Sequence, residues 1–126
     1  MAKLPENAIQ AWENRQGPVV MTTVDPNGTP NTIYVTCVQK ISDDQIVVAD
    51  NKMQKTRANI KSGSPVCLLY ITDKKKAFQL KGSIRYETEG AIFDEMKSGW
   101  LDQKYPGHAA VVITIEEVYS GAEKLA

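Results

Sequence analysis

Residues 51–63, NKMQKTRANIKSG, carry positive charge with no acidic residue beside it. Lys52, Lys55, Arg57 and Lys61 lie in this stretch, although the whole chain is balanced, with 15 basic and 15 acidic residues. Because no Gly or Pro interrupts its second part and SGSP follows, we expect a short helix over residues 54–62. A net charge of zero argues against a general polyanion binder, so any anion site must be local.

The start of this helix could bind a phosphate. A first turn presents unpaired N–H groups and the positive end of the helix dipole, so it favours carboxylates over cations. Lys55 and Thr56 stand there instead, and a bound anion would gain an ammonium and a hydroxyl from them. A solvated basic helix and a nucleic-acid contact are the alternatives. The latter would need neighbouring aromatic residues, and residues 49–63 contain none, so we do not expect nucleic-acid binding.

Runs of β-branched and aromatic residues predict a mainly β protein with short helices. Six strands are expected: VVMTTV, TPNTIYVTCVQKI, QIVVAD, VCLLYI, AFQLKGSIRYE and HAAVVITIEEVY. Leu4, Ala8, Ala11 and Trp12 recur at helical spacing, and EGAIFDEMKSG has the same pattern. In a chain of 126 residues, these elements indicate one domain, residues 1–126, built as a closed or nearly closed antiparallel barrel.

Two of these strands are apolar on both faces. VVMTTV and AVVITI have apolar residues at almost every position, more than the interior of one barrel can use. A strand of this kind needs a second covering surface, and a homodimer interface would provide it.

Metal, membrane and secretory functions are not expected. With His108 as the only histidine, and Cys37 and Cys67 far apart, zinc or iron–sulfur ligation lacks its usual ligand spacing. The N-terminal sequence lacks the apolar segment of a signal peptide, and no later run is long enough to span a membrane, so we expect a cytoplasmic protein. We also interpret His108 as a strand-edge residue, since no acidic residue near it in the sequence would orient it for catalysis.

Several segments resemble the FMN-binding split-barrel family, the pyridoxamine 5′-phosphate oxidase-like proteins, and especially its small FMN-binding members. They are Asp-x-x-Gly-x-Pro-Asn before a strand (residues 25–31), the strand end IVVAD followed by Asn51, and MQKTRANI at the start of the short helix. Together with the closing AAVVITIEEVYSG, they cover most of the chain from Val19 to Gly121.

The resemblance implies a six-stranded antiparallel split barrel that forms a homodimer and binds one FMN per subunit near the dimer interface. Lys55 and Thr56 would hold the phosphate. The ribityl chain and ring edge would lie against Asn51, Gln54 and backbone groups of Ala49 and Asp50, and the isoalloxazine would lie along Thr32, Ile33 and Tyr34. Trp100 and Tyr105 flank a link from which an aromatic ring could cover the flavin of the partner subunit, although packing is the alternative role.

The expected function is that of an FMN-binding flavoprotein, acting in electron transfer or as a small flavin-dependent oxidoreductase such as a flavin reductase. The redox partner or nicotinamide donor and any catalytic residues are not specified by the sequence. A deazaflavin-dependent reductase and a cofactor-free binding barrel remain alternatives. We do not expect pyridoxamine phosphate oxidation itself, which would call for a second basic phosphate site and a longer C-terminal region.

Overall fold

A computed structural model describes residues 2–126, and it is mainly β with short helices, as predicted. The strands are β1 Val19–Val24, β2 Pro30–Val35, β3 Val38–Ser42, β4 Gln45–Asp50, β5 Val66–Ile71, β6 Ala77–Glu87, β7 Ala109–Ser120 and β8 Glu123–Lys124. The helices are α1 Glu6–Glu13, α2 Lys55–Lys61 and α3 Ala91–Glu95, which continues as a π-helical segment, Met96–Trp100. The three predicted helices are therefore confirmed.

The strands form one curled antiparallel sheet in the order β2-β1-β5-β6-β7-β4-β3, with β8 added beside β7. The strand path ends at β2 on one side and β3 on the other, so the sheet is a half-barrel rather than a closed barrel. Its interior holds the main apolar core, which includes Met21, Leu68, Phe78 and Ile113 and is closed at one end by α1 through Trp12.

The predicted count of six strands is wrong, because residues 29–41 form two strands and not one. The chain turns at Thr36 and Cys37, so that β2 pairs with β1 while β3 pairs with β4 at the opposite edge of the sheet. Val35 and Val38 are both buried, which breaks the alternation of a continuous strand. No Gly or Pro marks this corner, and β8 is too short to leave a periodic pattern.

The first hairpin is set by its turn sequence. The Asp25 carboxylate accepts hydrogen bonds from the N–H groups of Asn27 and Thr29, both at 2.9 Å. Gly28 adopts φ +85°, a conformation that costs glycine least. This turn places Asn31 at the start of β2, facing α2.

The second face of β7 is covered by its own chain. Ala110 and Val112 pack with Val47 of β4 against Met96 and Leu101, which belong to the segment after α3. For AVVITI, the prediction that a homodimer supplies the cover is therefore wrong, because α3 and the residues after it provide it. The outer face of β1 differs, since the structure leaves it half-exposed.

Candidate functional site

A cavity of about 500 Å³ lies where β2, the corner at Thr36 and Cys37, the end of β4 and the start of α2 come together. This volume is within the range of small-molecule sites. Its polar end is lined by Asn31, Lys55 and Thr56, and Ile33, Val35 and Ala49 supply apolar lining. The cavity thus offers hydrogen-bond donors and positive charge for an anionic group, together with apolar surface for a ring.

Most of the site residues predicted from the sequence line this one cavity. They are Ile33, Tyr34, Ala49, Asn51, Gln54, Lys55 and Thr56. The structure brings them together because β2 and the β4–α2 connection are distant in sequence but adjacent in the folded sheet and helix.

Two predicted residues do not line the cavity. The Thr32 hydroxyl is 2.9 Å from that of Thr22 on the outer face of the β1–β2 hairpin. The Asp50 carboxylate is fully buried and binds Arg57 and Tyr86 instead, while its backbone carbonyl accepts a hydrogen bond from His108 N–H at 2.8 Å. The structure thus gives Asp50 a role in supporting the site.

Further lining residues were not assigned from the sequence. Asn31, Val35, Thr36, Cys37, Lys52, Met53 and Tyr105 also line the cavity. Asn31 ends the Asp-x-x-Gly-x-Pro-Asn motif, so a sequence signal for it existed. From the sequence, Tyr105 was expected either to pack in the core or an interface or to cover a partner's flavin, and the structure places it at the cavity of its own chain.

The polar end is organised around Thr56. Its side chain is 2% exposed, and its hydroxyl accepts a hydrogen bond from Asn31 Nδ2 at 3.0 Å. The hydroxyl proton therefore remains available to an acceptor in the cavity. Lys55 is an exposed residue of the cavity lining, and no side chain among residues 2–126 caps the start of α2 by a hydrogen bond.

The cations of residues 51–63 divide into two groups. Arg57 donates to Asp50 from Nε at 2.7 Å and from Nη2 at 3.1 Å, and Lys61 lies over the Tyr86 ring at 5.4 Å. Lys52 and Lys55 line the cavity and form no salt bridge within residues 2–126. The local excess of positive charge is thus partly structural and partly directed to the cavity.

Asp50 is the centre of a buried network behind the cavity. Besides Arg57, Tyr86 Oη donates to its carboxylate at 2.6 Å and Met53 N–H at 3.0 Å. Burial alone would raise the pKa of Asp50, but the hydrogen bonds from Arg57 and Tyr86 outweigh burial and hold that pKa below its ordinary value of 3.8. The hydrogen bond to Asp50 raises the pKa of Arg57, and burial raises that of Tyr86. This network fixes α2, and with it Lys55 and Thr56, against β4 and β6.

Asn51 ties the cavity to the segment that carries Tyr105. The Asn51 Oδ1 atom accepts a hydrogen bond from Gly107 N–H at 3.0 Å, and Lys97 Nζ donates to the Pro106 carbonyl. These bonds hold the loop before β7 at the rim of the cavity, where Tyr105 borders it.

The described residues contain no group of three or more His, Cys, Asp or Glu side chains able to hold a metal ion. Within residues 2–126, no helix has the length and apolar character required to cross a membrane.

The family model described as pyridoxamine 5′-phosphate oxidase matches residues 5–121. A protein of Methanocaldococcus jannaschii is 30% identical over an alignment of 125 positions that covers 95% of this chain and 82% of that protein.

Solved structures show the same fold at lower sequence identity. HupZ of Group A Streptococcus superposes with a TM-score of 0.81 at 20% identity over 93% of each chain. An FMN-binding protein of Syntrophomonas wolfei superposes with a TM-score of 0.72 at 23% identity, and the match covers 84% of this chain and 78% of that protein. An F420 reductase superposes with a TM-score of 0.65 at 14% identity, and the match covers 84% of this chain and 91% of that protein. With a family model matched along nearly its whole length, the chain belongs to the pyridoxamine 5′-phosphate oxidase family.

Proposed function

We propose that this protein binds FMN in the cavity beside β2 and α2, with the phosphate held by Lys55 and Thr56. The observation that supports this most is that one cavity joins these two residues to Ile33 and Tyr34 of β2, far away in the sequence. The fold is shared with an FMN-binding protein. When bound, the flavin supplies the capacity to accept and release electrons, and the protein contributes binding, orientation and electrostatics.

The polar end of the cavity suits a phosphomonoester. Lys55 offers an ammonium, and Thr56 a hydroxyl whose proton is free because Asn31 occupies its acceptor side. Lys52 adds positive charge at the same end of α2. Charge-assisted hydrogen bonds of this kind contribute more than neutral ones, so the phosphate should account for much of the affinity.

The remaining lining suits an aromatic ring. Ile33, Val35 and Ala49 contribute apolar surface, and Tyr105 lies at the rim. These side chains would exclude water from one side of the ring and fix its orientation relative to β2. Cys37 also lines the cavity as a free thiol, and we assign it no chemical step.

We further propose that the site is completed in a homodimer. Tyr34, Val20 and Leu69 lie side by side across β2, β1 and β5, because Val20 is in register with both of the others. Tyr34 is 75% exposed and Leu69 41% exposed, which is a large apolar exposure for adjacent strand residues. Since Tyr34 also lines the cavity, a second copy packed on this face would lie next to the bound flavin.

The proposed role is electron transfer or a small flavin-dependent oxidoreductase reaction, with a redox partner or nicotinamide donor still to be identified. A deazaflavin-dependent reductase is the second candidate, favoured by the F420 reductase that shares the fold. Both cofactors would use the same apolar lining. Absorption spectroscopy of the purified protein, with the mass of the released chromophore, distinguishes FMN, deazaflavin and a cofactor-free protein.

Titration of the cofactor-free protein with FMN tests the phosphate site. We expect Lys55→Ala and Thr56→Val each to weaken binding by about 1–3 kcal/mol, the contribution of a charge-assisted hydrogen bond. Lys3→Ala and Thr88→Val are the matched controls, since both residues are exposed and neither lines the cavity. Unchanged FMN affinity in both site variants would show that the phosphate binds elsewhere.

A further inference from the structure

A second cavity, of about 630 Å³, lies between α1 and the turn that joins β5 to β6. Phe78 and Ala11 also line it, although both are almost fully buried and offer little accessible apolar surface. Amide side chains surround it: Asn7, Gln10, Asn14 and Gln16. Those of Asn7 and Gln16 form no hydrogen bond within residues 2–126, so their donors and acceptors remain available to a ligand. The cavity is large enough for a small organic molecule.

Positive charge dominates the lining. Arg15, Lys74 and Lys76 contribute three cations and Asp73 one carboxylate, which leaves a net charge of 3 − 1 = +2. None of the three cations forms a salt bridge in the part of the chain that the structure describes. An anion in the cavity would therefore meet cations that form no ion pair with any described carboxylate, although Asp73 lies in the same lining.

Arg15 is the most constrained of these cations. Its guanidinium lies 4.2 Å from the centre of the Trp12 ring, and Nη1 donates to the Trp12 carbonyl at 2.8 Å. Arg15 is half-buried, and burial lowers its pKa, although the nearby Tyr70 opposes this effect. A positioned and partly desolvated cation binds an anion more strongly than a freely solvated lysine does.

A third, smaller cavity of about 280 Å³ borders both the second and the first. Arg15 lines both the second and the third, and Val35 and Thr36 line both the third and the first. The first and second cavities therefore have neighbouring linings but share no residue.

We propose that the cavity around Arg15 binds a small organic anion, a phosphate or carboxylate compound. Its charged group pairs with Arg15, Lys74 and Lys76. This site is separate from the proposed flavin phosphate site, and its existence does not depend on flavin binding.

The fluorescence of Trp12 provides a direct test, because the Arg15 guanidinium lies over its ring. Trp12 and Trp100 are the two tryptophans of the chain, so a Trp100→Phe background isolates the signal. Inorganic pyrophosphate and citrate are titrated at constant ionic strength, one as the phosphate probe and the other as the carboxylate probe. Isothermal titration calorimetry on the same samples measures binding independently of any change in Trp12 emission that a substitution itself causes.

We expect a saturable response to at least one probe. In Arg15→Gln the affinity should fall about tenfold or more, since a charge-assisted hydrogen bond is lost, while Arg15→Lys should retain part of it. Lys74→Gln and Lys76→Gln should each cause a smaller loss. Lys3→Gln, which removes one charge outside the cavity, should have no effect. Circular dichroism checks that each variant is folded.

Three results would overturn the proposal. The first is the absence of saturable binding of either probe to the folded protein. The second is an equal loss of affinity in Arg15→Gln and Lys3→Gln, which would indicate general charge attraction. The third is binding that survives Arg15→Gln and disappears in Lys55→Ala, which would place the probe in the first cavity. Failure of FMN binding leaves these results unaffected, because the titration requires no flavin.

Discussion

Replacing Asp50 by Asn tests whether the buried carboxylate anchors α2. Asp50 is fully buried and accepts hydrogen bonds from Arg57 Nε at 2.7 Å, Tyr86 Oη at 2.6 Å and Met53 N–H at 3.0 Å. Asn has nearly the same shape, but its amide NH₂ group would face donors. At least one donor then loses its acceptor, and the Arg57 guanidinium loses its counter-charge.

The size of the effect follows from this geometry. Removing one partner of a buried ion pair costs about 3–5 kcal/mol. Because the Arg57 side chain is 32% exposed, water replaces part of the lost interaction. We therefore expect Asp50→Asn to lower the free energy of unfolding by about 2–3 kcal/mol at neutral pH. Asp94→Asn, an exposed aspartate whose side chain forms no hydrogen bond in residues 2–126, should change it by less than about 0.5 kcal/mol.

The difference in unfolding free energy between the wild type and Asp50→Asn should depend on pH. The pKa of Asp50 is lower in the folded protein than its ordinary value of 3.8, so the unfolded chain takes up a proton first as the pH falls. The ionised carboxylate contributes its full stabilisation above the unfolded-state value of 3.8. This contribution is lost as the pH falls through the lower pKa of the folded protein. The difference between wild type and Asp50→Asn should therefore be constant from neutral pH to about pH 5 and shrink near pH 3.

Urea unfolding followed by circular dichroism at several pH values measures these differences. FMN titration of the same variants adds a functional readout, since a displaced α2 would move Lys55 and Thr56. If Asp50→Asn unfolds at the same urea concentration as Asp94→Asn at neutral pH, the network does not anchor α2 and the reasoning is wrong.

The loop before β7 and the exposed face of the sheet provide two further predictions. Gly107 adopts φ +52°, and a Cβ there would lie 2.6 Å from a Leu101 methyl, so Gly107→Ala should lower stability by about 1–3 kcal/mol. Thermal unfolding measures this, and Gly99→Ala is the control, because a Cβ there meets nothing closer than 3.8 Å; equal melting temperatures would contradict the prediction. Leu69→Glu should convert the proposed homodimer to monomers in sedimentation velocity, because it places a charge on the exposed apolar row. Glu116→Gln, at an exposed position on β7, should leave sedimentation unchanged, and a Leu69→Glu protein that sediments like the wild type would exclude this face as the interface.

Much of the local structure could be predicted from the sequence. The Asp25–Gly28 turn, the helical spacing before Trp12 and the short helix after Gln54 depend on neighbouring residues, and the structure has each of them. The polar end of the cavity was also predictable, since Lys55 and Thr56 are adjacent in the chain and in the site. Family membership, suggested by local motifs, is confirmed by the match over residues 5–121.

The sequence thus specifies the family, the three helices, most of the strands and the residue types offered to an anion at the start of α2, but it misses the corner between β2 and β3 and the short β8. Which faces those residues present depends on the packing of the whole fold. It turned Asp50 toward Arg57 and Tyr86, it covered β7 with α3 rather than with a second copy, and it placed Arg15 at a cavity beside Lys74. The physical reason is that burial and ion pairing depend on contacts between strands and helices distant in sequence, which no local pattern records.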